Sequence, residues 1–95
     1  MYLNAGANRS IPEKEIIGIF DTDTSTVSSP DTRRFLSEAE RTGRTERAGD
    51  DLPKSFIVYR NRRNGEITVC FSELSSAVLL QRVQGSQKQD NEAES

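Results

Sequence analysis

The two most strand-like segments of the chain lie on either side of a turn signal. Residues 55–59 (SFIVY) and 67–71 (ITVCF) are short runs rich in β-branched and aromatic side chains, and Asn64-Gly65 lies between them. Such runs are typical of strands. An Asn-Gly pair favours a type I′ turn, because both central residues of that turn need a positive φ. We therefore predict an antiparallel hairpin with its turn at Asn64-Gly65.

The N-terminal half predicts a second reversal and another strand. Residues 2–6 read as a short extended piece that ends in a glycine, and a tight turn at 6–8 leads into residues 9–11. The run 15–21 (EIIGIFD) is short and nearly all apolar, which predicts a strand buried on both faces. Gly18 within this run predicts either a β-bulge or a close approach by another backbone.

Two helices are expected from their end signals. Ser29-Pro30-Asp31 offers an N-cap, a proline suited to the first helical position and an acid in the first turn. That helix should run to about Thr42, with Gly43 ending it. A second, short helix can be capped by Ser75 or Ser76, and its apolar face would comprise Val78, Leu79, Leu80 and Val83.

The remaining segments complete the predicted organisation. Residues 44–53 are polar and show no periodicity, which indicates a mobile connection. The polar residues 86–95 predict a disordered tail after a single domain at 1–85. The expected fold class is α+β, with a small, largely antiparallel sheet, one central helix and one short C-terminal helix.

The size of the chain and the residue types that it lacks limit the functions that it can have. A chain of 95 residues with 33% hydrophobic residues can build only a modest core, so we expect it to self-associate into a homo-oligomer. The alternative is a small, stable monomer. It has no histidine, which excludes a Ser–His–Asp triad and a Cys–His pair. Cys70 lies in an apolar run, where a thiol is expected to be a small buried hydrophobe. We predict a binding protein and not an enzyme, without catalytic residues, cofactor or small-molecule substrate.

Metal binding and membrane insertion are not expected. The Asp21 and Asp23 loop lacks the further oxygen ligands, central glycine and closing glutamate of a calcium loop, so we predict no metal site. No apolar stretch approaches the ~20 residues of a membrane span, and the N-terminal residues lack a secretory signal pattern. The predicted location is the cytoplasm.

Arginines crowd the predicted hairpin turn. Arg60, Arg62 and Arg63 lie within four residues, and guanidinium groups on a projecting loop suit phosphate oxygens. The alternative is that these charges keep the hairpin soluble and prevent edge-to-edge pairing. A second group is interleaved with acids, where pairing within the helix and on the surface is expected: Arg33, Arg34, Arg41, Arg44 and Arg47.

The order of segments resembles that of a known family. MYLNAG at 1–6, IIGIFD at 16–21, LPKSF at 52–56 and LSS at 74–76 resemble the RemB (YaaB) branch of the RemA-like bacterial regulators. The similarity covers roughly residues 1–84 and implies a regulator of extracellular-matrix and biofilm genes. The RemA branch binds DNA and assembles into closed rings, so the resemblance implies a ring-like, homo-oligomeric, DNA-binding transcription regulator.

One segment departs from the family pattern. RemA proteins carry an arginine-rich, DNA-contacting stretch before the strand at 56–59, whereas residues 50–54 here read DDLPK, with Lys54 as the only cation. We therefore expect the turn arginines Arg60, Arg62 and Arg63 to supply the missing cations, and expect them to contact the phosphates of double-stranded DNA together with Lys54. The alternative is a protein–protein adaptor, or a partner subunit of a related regulator, that does not bind DNA and depends on the helix around Phe35 and Leu36.

Overall fold

The computed structural model describes residues 1–22 and 29–83 of the chain. An α+β fold is confirmed. In chain order its elements are β1 (Tyr2–Asn4), β2 (Ser10–Pro12), a 3-10 turn (Glu13–Glu15), β3 (Ile16–Asp21), α1 (Pro30–Arg41), β4 (Thr45–Ala48), β5 (Ser55–Arg60), β6 (Ile67–Ser72) and the helix α2 (76–83).

The strands form two sheets. A four-stranded sheet has the order β3-β5-β6-β4, and β1 pairs with β2 in a separate two-stranded hairpin. Pairing in the larger sheet is antiparallel between β3 and β5 and between β5 and β6, whereas β4 runs parallel to β6. The sheet is therefore largely antiparallel, as predicted, and β5 and β6 form the predicted hairpin.

Strand β5 lies at the centre and divides the core into two clusters. On one face, Phe56 and Val58 pack with Ala39 of α1. On the other face, Ile57 and Tyr59 pack with the β1–β2 hairpin and α2. Because successive strand residues point to opposite faces, a strand covered on both sides is mostly apolar, and its buried Ser55 hydroxyl donates to the Leu74 carbonyl at 2.7 Å. All of residues 55–59 are accordingly buried.

Both helices begin at the predicted caps. The Ser29 hydroxyl accepts a hydrogen bond from the backbone N–H of Thr32 at 3.3 Å. The Ser75 hydroxyl accepts one from the backbone N–H of Val78 at 3.2 Å. Past the end of α1, Gly43 adopts a φ of +73°, the left-handed conformation that ends many helices. The local end signals were sufficient to place both helices.

Strand β3 is less buried than predicted. It is an edge strand, and Ile17 and Phe20 keep 59% and 40% of their surface exposed. The prediction of burial on both faces is therefore wrong, because an apolar run does not reveal whether a strand has one neighbour or two. The predicted bulge is confirmed, since the register with β5 shifts between Ile16 and Gly18. An ideal Cβ on Gly18 would lie 2.7 Å from the Phe20 ring, so a larger residue there would require this partly exposed ring to move.

Two further local predictions were wrong. Residues 45–48, expected within a mobile connection, form β4 and pair with 69–72 of β6. Asn64 does not adopt a positive φ, so the turn is not type I′. Gly65, with φ +71°, instead donates its N–H to the Asn61 carbonyl at 2.7 Å. The Asn61 and Asn64 side chains each accept a backbone N–H two residues further on, which stabilises this longer loop.

Some predictions concern other parts of the chain. The polar tail at 86–95 and Asp23 lie outside the described residues. Neither α1 nor the described part of α2 combines the length and apolar character that a membrane crossing needs.

Candidate functional site

A cleft of about 430 Å³ opens where the β5–β6 turn meets the N-terminal hairpin. One wall is the turn at 60–63, and the other is formed by β1, β2 and the 3-10 turn. We call this site the arginine cleft. Its charged lining comprises Arg9, Arg60, Arg62, Arg63, Glu15 and Glu46. Cations thus outnumber anions in a chain whose net charge is −2.

The base of the arginine cleft is a hydrogen-bonded triad. Arg9 Nη2 donates to Glu46 Oε1 at 2.6 Å and to the Tyr59 hydroxyl oxygen at 2.7 Å. The Tyr59 hydroxyl donates to the same carboxylate oxygen. The bond to Glu46 raises the pKa of Arg9 above its usual value, so Arg9 stays charged. Sequence reasoning missed this triad, because its members come from the turn before β2, from β4 and from β5.

Burial changes the pKa of two side chains, Tyr59 of the triad and Cys70. It raises the pKa of Tyr59 to about 12, with a further contribution from the Glu46 hydrogen bond. Burial likewise raises the pKa of the Cys70 thiol to about 11. Cys70 is completely buried, as predicted, and the raised pKa keeps it protonated and unreactive at neutral pH.

These shifts predict a loss of stability in alkaline solution. The ordinary pKa values are 9.0 for cysteine and 10.0 for tyrosine, and folding raises both. The folded state therefore favours the neutral forms, and this contribution is complete below about pH 9 and lost as the pH rises through the folded values. Urea-unfolding midpoints measured from about pH 8 to about pH 11 should fall. A Tyr59→Phe/Cys70→Ala variant should show a shallower fall, and equal slopes for the two proteins would contradict the prediction.

The turn arginines are brought together and project into solvent. Arg60 ends β5, Arg62 and Arg63 follow in the turn, and all three residues are exposed. Arg62 Nε lies 3.4 Å from Glu15 Oε1. Within residues 1–22 and 29–83, no carboxylate lies at ion-pair distance from Arg60 or Arg63. Two guanidinium groups are thus open to an external anion, and the third is partly neutralised.

Lys54 does not join this group. It precedes β5, whereas Arg60 ends it, and six residues at about 3.3 Å each place the two about 20 Å apart. The Lys54 backbone N–H donates to the Ser72 carbonyl at 2.9 Å, which holds this segment beside the end of β6. The four predicted binding residues therefore form one cluster of three and one separate cation.

The second arginine group has mostly structural contacts. Arg41 pairs with Glu38 across one helical turn, as predicted, with Nε 3.2 Å from Oε2. Arg44 instead donates to the Ile67 carbonyl at 2.9 Å and to the Thr42 hydroxyl at 2.8 Å, which joins the exit of α1 to β6. Arg33 and Arg34 are exposed on α1.

No described group of carboxylate and cysteine side chains is arranged to hold a metal ion. Asp21, one member of the candidate calcium loop, accepts a hydrogen bond from the Ser76 hydroxyl and so connects β3 to the start of α2.

No known protein family matches the chain, and no curated protein shows significant similarity to it. The likeness to RemA-like regulators therefore stays a prediction.

Proposed function

We propose that the chain is a DNA-binding transcription regulator that acts as a homo-oligomer and contacts backbone phosphates through Arg60, Arg62 and Arg63. The supporting observation is the pair of exposed guanidinium groups, Arg60 and Arg63, without a carboxylate partner in the described structure. The resemblance to RemA-like regulators adds the expectation of a ring-like oligomer, of extracellular-matrix and biofilm genes as targets, and of a cytoplasmic location.

One copy of the chain offers only weak binding to DNA. Two open guanidinium groups can make two or three charge-assisted contacts with phosphates, and Arg62 must first leave Glu15. An oligomer repeats these contacts, and each bound copy raises the effective concentration of the next. The edge strand β3 supports self-association. Residues 16–20 carry no charged side chain that would prevent edge-to-edge pairing, and Ile17 and Phe20 are exposed.

The proposal is tested by titrating a fluorescent duplex with the protein at several salt concentrations. The logarithm of the binding constant should fall linearly with the logarithm of the salt concentration, with a slope of about −0.9 per phosphate contact. Light scattering of the same samples gives the oligomer size with and without DNA. Absence of duplex binding at low salt would overturn the proposal.

A matched pair of variants tests the role of Arg62. Glu15→Gln removes its carboxylate partner and should raise duplex affinity about threefold and steepen the salt slope by up to about one contact. Glu13→Gln changes the net charge equally in the same 3-10 turn, but Glu13 has no ion pair within the described residues. Equal gains in both variants would mean that overall charge, and not the release of Arg62, is responsible.

A second candidate function is a protein–protein adaptor. An apolar groove of about 330 Å³ lies between β3 and α1, lined by Ile17, Phe20 and Phe35 among others. An adaptor would use this face and leave the arginine cleft empty. It predicts that Ile17→Asp abolishes association of the chain with other protein subunits, and that duplex DNA leaves the light scattering unchanged.

A further inference from the structure

We propose that the arginine cleft holds an unpaired nucleotide of single-stranded DNA, with the base stacked on Tyr2 and a phosphate bound by Arg60 and Arg63. The inference rests on the phosphate contacts of the proposed function and adds a ligand class to the same site. It follows from an exposed aromatic ring, the nearby cations and the shape of the cleft.

Tyr2 is placed as an open stacking surface. In β1 the side chain of Leu3 is buried in the core, so its neighbour Tyr2 points outward. Tyr2 is 68% exposed, yet it lines the arginine cleft beside its cross-strand partner Pro12. None of the aromatic or cation–π contacts within the described residues involves Tyr2, and its high exposure leaves most of the ring accessible to a ligand.

Aromatic and cationic residues line the same cleft. Tyr2 and Pro12 belong to the hairpin wall, and Arg60 and Arg63 belong to the turn wall. Proteins that bind single strands combine these two groups, because every base has a π-face and every nucleotide has a phosphate. The cleft volume of about 430 Å³ lies within the usual range for small-ligand sites. Ser10 and Asn61 line the same space and supply polar groups.

An intact duplex cannot use Tyr2 in this way. Its bases are stacked on one another, and extruding one of them costs free energy that a single strand does not lose. A duplex can still place its phosphates on the turn arginines. The structure thus predicts two modes at one site: phosphate contacts alone for a duplex, and phosphate contacts plus stacking for an unpaired strand.

The test compares three fluorescent ligands by anisotropy: an oligothymidylate, an abasic oligomer of the same length and charge, and a blunt duplex. The oligothymidylate should bind about tenfold more tightly than the abasic oligomer. Tyr2→Ala should remove this difference and leave duplex binding unchanged, whereas Tyr2→Phe should preserve it. Because Tyr2 is mostly exposed, Tyr2→Ala should fold normally, and circular dichroism checks this.

A spectroscopic variant reports stacking directly. The chain has no tryptophan, so Tyr2→Trp introduces a single reporter. Oligothymidylate should quench its fluorescence, and the abasic oligomer should not.

The outcomes separate this inference from the proposed function. If the thymidylate and abasic oligomers bind with equal affinity and duplex binding is intact, the stacking inference is overturned and the proposed duplex binding stands. Binding of oligothymidylate without binding of duplex would support stacking and overturn duplex recognition. Failure to bind any of the three ligands would overturn both.

Discussion

Phe56→Ala is expected to lower the free energy of unfolding by about 3–5 kcal/mol. Phe56 is 1% exposed in the central strand β5, and its ring packs between two others. Ring centroids lie 5.2 Å away in Phe20 and 6.1 Å away in Phe71. Truncation therefore leaves a cavity beneath α1 and removes contacts to the edge strand β3 at the same time. Urea unfolding followed by circular dichroism measures the change.

The matched control is Leu52→Ala, which removes a large side chain that is 86% exposed. Its effect should stay within about 0.5 kcal/mol. A domain of this size has a stability of only about 5–15 kcal/mol, so Phe56→Ala can approach complete unfolding. Phe56→Leu should then show an intermediate loss that can still be measured. Similar values for Phe56→Leu and Leu52→Ala would contradict the location of the core.

The elements that sequence reasoning predicted correctly carry their signals locally. Ser29 caps α1 through a hydrogen bond to a residue three positions away. The β-branched and aromatic residues of 55–59 and 67–71 predicted both strands of a hairpin, and these residues form β5 and β6. Gly18 marked the position of a bulge, and its missing side chain leaves room for the Phe20 ring. In each case the physical cause and the sequence signal lie within a few residues of each other.

The errors concern structure that depends on distant partners. Residues 45–48 (TERA) have weak strand preference, and they become β4 because β6 offers a parallel partner about 24 residues further along the chain. The exposure of Ile17 follows from the position of β3 at the edge of the sheet, which its own residues do not encode. Pairing and strand order are decided by the whole fold, so local patterns miss them.

The candidate site shows the same division. Arg60, Arg62 and Arg63 were expected to lie together, and they line one cleft because they fall within four consecutive residues at the end of β5 and in the following turn. Lys54 is separated from the turn arginines by the length of an extended strand. This separation could have been predicted from the sequence by multiplying the number of strand residues by the rise per residue. In the Arg9–Glu46–Tyr59 triad, Glu46 lies 37 residues after Arg9 in the sequence and Tyr59 lies 50 residues after it. No rule based on sequence spacing could therefore reveal the triad. The triad fixes the base of the cleft on which both proposals depend.

Replacing Arg60 and Arg63, which have no carboxylate partner among residues 1–22 and 29–83, should produce the largest loss of binding. Arg60→Ala/Arg63→Ala is expected to weaken duplex binding at least about 10- to 100-fold at low salt, because the loss of even one charge-assisted hydrogen bond to phosphate costs about 1.5–3 kcal/mol. The salt slope should also become shallower by about two contacts. Both side chains are exposed, so the thermal midpoint of the variant should match that of the parent.

The control for this variant removes two exposed arginines elsewhere. Arg33→Ala/Arg34→Ala on α1 changes the net charge by the same amount, and neither residue forms an ion pair in the described part of the chain. Its duplex affinity should fall less than about threefold, since only long-range attraction is reduced and salt screens it. Equal losses of affinity in the two variants would show that the chain binds DNA through its overall charge and not through the turn. A loss confined to the turn variant, with oligomer size unchanged by light scattering, assigns the phosphate contacts to the turn.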